Sequence, residues 1–255
     1  MDTPSKPEAP TASPRMEQLY ESLLARILSD DLPAGSMLPP ERVLAQSMGT
    51  NRSTLREAMR RLEQTRLIAP RQGSGVTVGD FRRTGSLELL GAFLEHGAST
   101  REKAQVVLDL LAPRAEIVEY LVSIAATQAG PEDVAALRPL VQQAEQAERE
   151  RDAASLIEAQ SQFMDALVDI TGSLLVRWVA NPILFALDDM LARRPEILLF
   201  EPSFAALAAG LLERFAAADR AGALSLAHTF HAKVDTQLRA LLEPLTHLEE
   251  AHAHP

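Results

Sequence analysis

The chain of 255 residues is 46% hydrophobic and 24% charged, enough apolar material for a packed core in one large or two ordinary domains. No apolar run approaches a membrane span, the N-terminus lacks a secretory pattern, and the absence of cysteine excludes disulfides and thiol catalysis and fits a reducing cytoplasm. The net charge of −10 is unevenly placed, with 11 Arg against 8 Asp+Glu in residues 15–83 and 13 Lys+Arg against 25 Asp+Glu in residues 84–255. Positive charge is kept in the first third, and the acidic remainder would resist unspecific binding to polyanions.

In chain order, residues 1–14 are rich in proline and polar side chains and are expected to be disordered. Met16 to Ser29 places Leu19, Leu23, Leu24, Ile27 and Leu28 on one helical face. LPAGSMLPP then reads as a loop broken at Pro33 and Gly35. Pro39 and Pro40 suit the first turn of a second helix, where a missing N–H costs nothing. That helix is expected to carry Val43, Leu44 and Met48 inward and to stop at Gly49. Thr50 or Asn51 caps a third helix whose buried stripe is Leu55, Ala58, Met59 and Leu62. Its opposite face holds Arg52, Ser53, Arg56, Arg60 and Arg61. Arg71, Gln72, Gly73, Ser74 and Gly75 read as the tip of a β-hairpin.

This arrangement suits DNA. A major groove admits one helix, and residues near the N-terminus of that helix reach base edges. Asn51, Arg52, Ser53 and Thr54 stand at such an N-terminus, where free N–H groups and the positive helix end also meet phosphate. An arginine-rich helix face alone is usually just solvated. Two linked helices with these caps, followed by a basic glycine-rich hairpin, favour the nucleic-acid reading.

Beyond a short linker at 81–86, residues 87–245 have helical periodicity almost throughout, and 246–255 are expected to be a disordered tail. Helices are predicted over Leu87–His96, Arg101–Gln128, Pro131–Arg151, Ala153–Ile170, Leu174–Leu191, Pro202–Ala218 and Ala221–Leu245. About seven helices joined by short loops make an antiparallel bundle. The expected fold class is therefore mainly α, with a three-helix domain plus hairpin at 15–80 and an all-α bundle after it. Apolar pockets in bundles hold small ligands with a few polar groups for orientation. Candidate lining residues are Phe163, Leu167, Trp178, Phe185, Phe204 and Phe230, with Arg114 or Arg177 for an anionic group. For each aromatic, ordinary core packing is the competing explanation.

The run LPPERVLAQSMGTNRSTLREAMRRLEQTRLI followed by RQGSGVTV resembles the winged helix-turn-helix domain of the GntR superfamily of bacterial transcription regulators. In that family an arginine after the Pro-x-Glu run, one opening the recognition helix and one four residues on contact DNA, which implies Arg42, Arg52 and Arg56 here. The resemblance also implies contacts from Asn51, Ser53 and Thr54, and from a wing tip at Arg71, Gln72 and Gly73. Gln72 departs from the histidine that some members carry there. Over residues 16–245 the layout is similar to the FadR subfamily, and FRRTGSLELLGAFLEHG and SQFMDALVDITGS look closest to its fatty-acyl-responsive branch.

That resemblance implies a homodimer on a palindromic double-stranded operator, and a bundle that binds a small effector such as an acyl-CoA or a carboxylate. Many relatives hold a divalent metal with an aspartate and three histidines. The matching positions here are Gln160, Met164, Ala208 and His231, so neither metal nor other cofactor is expected. The expected effector set is Arg114, Phe163, Arg177, Trp178 and His231. The alternatives are a metal-dependent carboxylate sensor of the same subfamily and a helical protein adaptor. Nothing supports an enzyme: the chain has no phosphate-binding glycine loop and no suggestive Ser/His/Asp spacing.

Overall fold

The computed structural model describes residues 14–71, 75–193, 195 and 203–247. By internal contacts the chain divides into two compact units. One holds the residues up to 86 with 96–98, and the other holds 87–95 with everything from 99 onward.

The first unit starts with α1 (Pro14–Leu28), whose Leu19, Leu23, Leu24, Ile27 and Leu28 are all buried as their spacing predicts. Helix α2 (Glu41–Ser47) is two turns long and buries Leu44 and Ala45. Val43 was expected inward but is 45% exposed, and Met48 is only half-buried, as the C-cap. One residue step turns a helix by about 100°, so a face centred on Leu44 and Ala45 leaves Val43 outside. Gly49, at φ +59°, takes the left-handed conformation that ends the helix. Helix α3 (Arg52–Gln64) then buries Leu55, Ala58, Met59 and Leu62.

Strands β1 (Ile68–Arg71) and β2 (Gly75–Val78) pair antiparallel from Ile68 with Val78 to Arg71 with Gly75. The loop expected before α2 does more than connect. Its Leu38 N–H donates to the Val76 carbonyl at 2.9 Å and its Ser36 carbonyl accepts from Val78 N–H at 2.8 Å, so residues 36–38 cover the far edge of β2. Phe81–Thr84, within the expected linker, forms one helical turn (α4) capped by Asp80.

In the second unit a 3-10 turn (Leu87–Leu89) leads into α5 (Leu90–His96), α6 (Thr100–Gln128), α7 (Pro131–Glu150), α8 (Ala153–Ile170), α9 (Leu174–Arg193), α10 (Phe204–Ala216) and α11 (Arg220–Thr246). Side-chain oxygens of Ser99, Asp152, Ser203 and Asp219 cap four of these helices at their first turns. Helix α6 continues through Pro113, which leaves one interior carbonyl without its helical donor.

The main core joins α6, α7, α8, α10 and α11 around Phe163, Leu121, Leu137, Leu156, Leu167 and Leu211. A second cluster, Leu90, Leu94, Val107, Leu110, Ala186 and Met190, ties α5 and α9 to the first half of α6. A third, Leu108, Leu111, Val234 and Leu238, joins that half to α11. Among the described residues no helix is long and apolar enough to cross a membrane.

Candidate functional site

The first candidate surface is the outer face of α3 in the first unit. Its N-terminus is set by Asn51, whose Oδ1 accepts from Thr54 N–H at 2.8 Å and from Ser53 Oγ at 2.6 Å. Asn51 and Ser53 are exposed, yet that oxygen and that hydroxyl proton are already committed to the cap. What remains for an outside partner is the Asn51 amide NH2 and the Ser53 lone pairs. Thr54 is half-buried, with its backbone N–H spent on the same cap. Arg42, Arg52 and Arg71 are exposed and have no ion-pair partner among the described residues.

Arg56 is exposed, but its Nε donates to Glu41 Oε2 at 2.8 Å, which ties α3 to α2 and holds the guanidinium at their junction. Arg61 does not share the open face expected for it. Its Nη1 meets Glu17 at 2.5 Å and its guanidinium stacks 3.9 Å above the Tyr20 ring, so it fastens α3 to α1. Gln72 and Gly73, the expected wing-tip contacts, lie outside the described residues.

The second candidate is a cavity of about 160 Å³ in the helical unit, where the three apolar clusters meet. Its wall is mostly aliphatic and aromatic, and its polar groups come in two sets. On the α6 and α11 side, Arg114 Nη2 donates to Asp235 at 2.8 Å, while Arg114 Nε and His231 Nδ1, both fully buried, have no hydrogen-bond partner among the described residues. Glu119 lies 3.6 Å from His231 Nδ1, beyond hydrogen-bond reach, and 3.3 Å from His228. Burial pulls His231 down to about 4, and the neighbouring guanidinium adds to this, so the ring is neutral at ordinary pH. Burial also lowers Arg114, opposed by Asp235.

On the α8 and α9 side, Ser161 Oγ donates to Asp188 Oδ2 at 2.6 Å, with Gln160 and Met164 beside them. Burial raises the Asp188 carboxyl above its ordinary value, and the serine hydrogen bond opposes that.

Of the five expected effector residues, the structure brings Arg114 and His231 to this cavity. Phe163 is fully buried in the core and packs edge-to-face on Phe204, which does line the cavity. Arg177 is elsewhere, held on the surface by Asp165 and Asp169 at the α8–α9 turn, because their spacing brings both carboxylates to its fork. Trp178 is 64% exposed, and the further candidate Phe185 is equally so. They lie on a face of α9 that is bordered by Leu87 and Glu88 of the 3-10 turn and otherwise left largely exposed. Asp188 and Asp235 were missed. The legible signal for Asp235 was its position four residues after His231, which puts both on one helical face.

The residues that would have to hold a metal do not fit one. Gln160 offers an amide and Met164 a thioether, Ala208 has no donor, and His231 stands alone. Among the described residues no three His, Cys, Asp or Glu side chains could share an ion.

Comparison with known proteins matches residues 15–78 to the bacterial regulatory proteins of the gntR family and residues 109–231 to the FCD domain. The chain is 32% identical over 177 residues to the HTH-type transcriptional regulator Mce2R of Mycobacterium tuberculosis, covering 69% of this chain and 71% of that one. It is 33% identical over 110 residues to a fatty acid metabolism regulator protein of Edwardsiella ictaluri, covering 42% and 44% of the two chains. Among solved structures, Lar, which controls expression of the Listeria monocytogenes agr system, shares the fold. Its TM-score is 0.60 at 18% identity, over 89% of this chain and 97% of that one.

Proposed function

This chain belongs to the GntR family of bacterial regulatory proteins, and from that premise we propose that it is a homodimeric, effector-responsive regulator of a palindromic operator. That it is a DNA-binding transcription regulator and not an enzyme follows from the family. The observation that carries the finer reading is the free, exposed face at the N-terminus of α3. Among the described residues Arg52, at that N-terminus, has no ion-pair partner, and neither have Arg42 and Arg71. An α-helix inserted N-terminus first into a major groove would put Arg52 at base edges, with the Asn51 amide and the Ser53 oxygen beside it. Arg56, already steered by Glu41, would take a phosphate or a base from a fixed position. The wing residues Arg71, Gln72 and Gly73 would meet the adjoining backbone.

The exposed apolar face of α9 supports the dimer. Leu174, Leu175, Trp178, Val179 and Phe185 are each between 59% and 68% exposed, a stripe costly to leave in water. An isologous contact through it would place two α3 helices on two half-sites related by the operator's own two-fold axis. The effector site is the cavity between Arg114 and Asp188. It takes an apolar or anionic metabolite without a metal, working in the cytoplasm, and ligand binding shifts the pairing of the two subunits. Relatives named as fatty acid metabolism regulators favour an acid or acyl compound.

Selection of bound fragments from genomic DNA, followed by a salt titration on the best site, tests this reading. The expected result is a short palindrome whose affinity falls steeply with salt. Weak binding that ignores sequence would overturn it.

A further inference from the structure

The two polar ends of the cavity differ in what they leave open. At the α6 and α11 end, Arg114 is matched by Asp235, and the partnerless Arg114 Nε and His231 Nδ1 are sealed, so neither atom offers a ligand a contact. At the α8 and α9 end, Gln160, Ser161 and Asp188 line the wall, and all three are only half-buried. Ser161 spends its hydroxyl proton on Asp188 Oδ2 at 2.6 Å, which leaves the serine oxygen as an acceptor only. Asp188 Oδ1 has no partner among the described residues, yet it is not among the sealed atoms. The Gln160 amide likewise has no partner among the described residues.

The open end is therefore an acceptor end, and its charge has the same sense. Arg114 is balanced by Asp235 and His231 is neutral, so Asp188 leaves the lining with one unmatched negative charge. Burial raises its carboxyl, and among the described residues no cation stands close enough to oppose that. A carboxylate brought to this end would meet repulsion, and a hydroxyl would supply a single donor. A primary ammonium supplies the missing charge and three donors, as many as the acceptors Asp188 Oδ1, Ser161 Oγ and Gln160 Oε1. The rest of the wall is apolar, including Leu110, Leu184, Met190, Phe204 and Phe230. Its volume of about 160 Å³ is close to that of an engineered cavity, roughly 150 Å³, that takes up benzene. The body of the ligand is accordingly a ring or a short chain.

We infer that the cavity takes a compact apolar primary amine whose ammonium group binds Asp188, with Ser161 and Gln160 completing its hydrogen bonds. This rests on the reading of the cavity as the effector site, and it puts a cationic end where that reading allowed an anionic one. Asp188 sets the specificity, and Ser161 positions it.

The test uses the full chain at neutral pH and three probes built on one ring: benzylamine, benzyl alcohol and benzoate. Binding is read by calorimetry and by the shift in melting temperature. Benzylamine is expected to bind about thirtyfold more tightly than benzyl alcohol, and benzoate weakest of all. Asp188→Asn keeps the shape and an oxygen to accept from Ser161 but removes the charge. It should cost benzylamine about thirtyfold and leave benzyl alcohol within about threefold. Gln160→Leu removes an amide that no described residue depends on, and it should remain folded by circular dichroism while costing benzylamine about fivefold.

Benzoate or benzyl alcohol binding more tightly than benzylamine would overturn the inference. So would a folded Asp188→Asn variant that binds benzylamine as the parent does, or a folded parent chain that binds none of the three. Should Asp188→Asn fail to fold, Gln160→Leu decides, and an amine affinity equal to the parent's would overturn the inference. Operator affinity is measured on the same samples. Benzoate that binds tightest and shifts operator affinity would retain the effector cavity and reject only the amine. Benzylamine that binds through Asp188 and leaves operator affinity unchanged would keep the amine site and reject the effector reading instead.

Discussion

Arg52 and Arg61 sit on one helix, in the same arginine-rich stretch, and the structure gives them opposite work. Arg52 is exposed and has no ion-pair partner among the described residues, whereas Arg61 is engaged by Glu17 and Tyr20. Arg52→Ala should therefore cost about 1–3 kcal/mol of specific operator binding and relax selectivity at one base position, read by competition with altered operators. Arg61→Ala should lower the stability of the DNA-binding unit by about 1 kcal/mol and leave base preference as it is. His231 supplies a pH signature. Its folded value, about 4, lies below its ordinary 6.5, so the unfolded chain takes up the proton first as the solution is acidified. The stability it contributes is complete above about pH 6.5 and declines towards pH 4. Urea midpoints for His231→Gln should lack that part of the slope. Arg114, Glu119 and Asp235 surround the ring, and all three remain in that variant.

At the scale of elements, two devices hold the candidate surfaces in place. The Asn51 cap fixes where α3 begins and thus which side chains stand at its first turn. Asn51→Ala should cost about 1 kcal/mol in stability and should weaken DNA binding beyond the loss of one amide contact, because the first turn frays. Asn51→Asp, which keeps the cap and adds a negative charge, should restore stability but not DNA affinity. In the helical unit, Phe163 packs at the centre of the core and edge-on against Phe204 in the cavity wall. Phe163→Ala should destabilise that unit by about 3–5 kcal/mol. It should also weaken ligand binding without removing any group from the cavity, since Phe204 loses its backing.

At the scale of the whole molecule, the proposed dimer rests on the exposed α9 stripe and is tested there. Leu175→Asp combined with Trp178→Asp should convert the chain to a monomer in sedimentation equilibrium, with each subunit still folded. Operator affinity should collapse, and the slope of log affinity against log salt should fall to about half, since half the phosphate contacts are lost. A parent chain that sediments as a monomer, or a profile unchanged by the two substitutions, would reject a dimer through this face.

The local elements and the Asn51 cap were legible because they are written in neighbouring residues. The 3.6-residue stripes of α1 and α3, the stop at Gly49 and the breaks at Gly130, Pro131 and Gly172 each depend on a few positions along the chain. The surplus of arginine in residues 15–83 likewise pointed to a polyanion without any knowledge of contacts. What an individual side chain faces was decided only in three dimensions. Arg61 is tied up 44 residues away at Glu17, and Arg114 meets Asp235 across 121 residues. Trp178 reads like core by its chemistry and lies in solvent, while Val43 lost its inward place to Leu44. An apolar side chain at helical spacing identifies a stripe but not the partner that covers it. The partner is fixed by packing between distant segments, and so the cavity, with its two polar ends on α6/α11 and α8/α9, exists only in the tertiary structure.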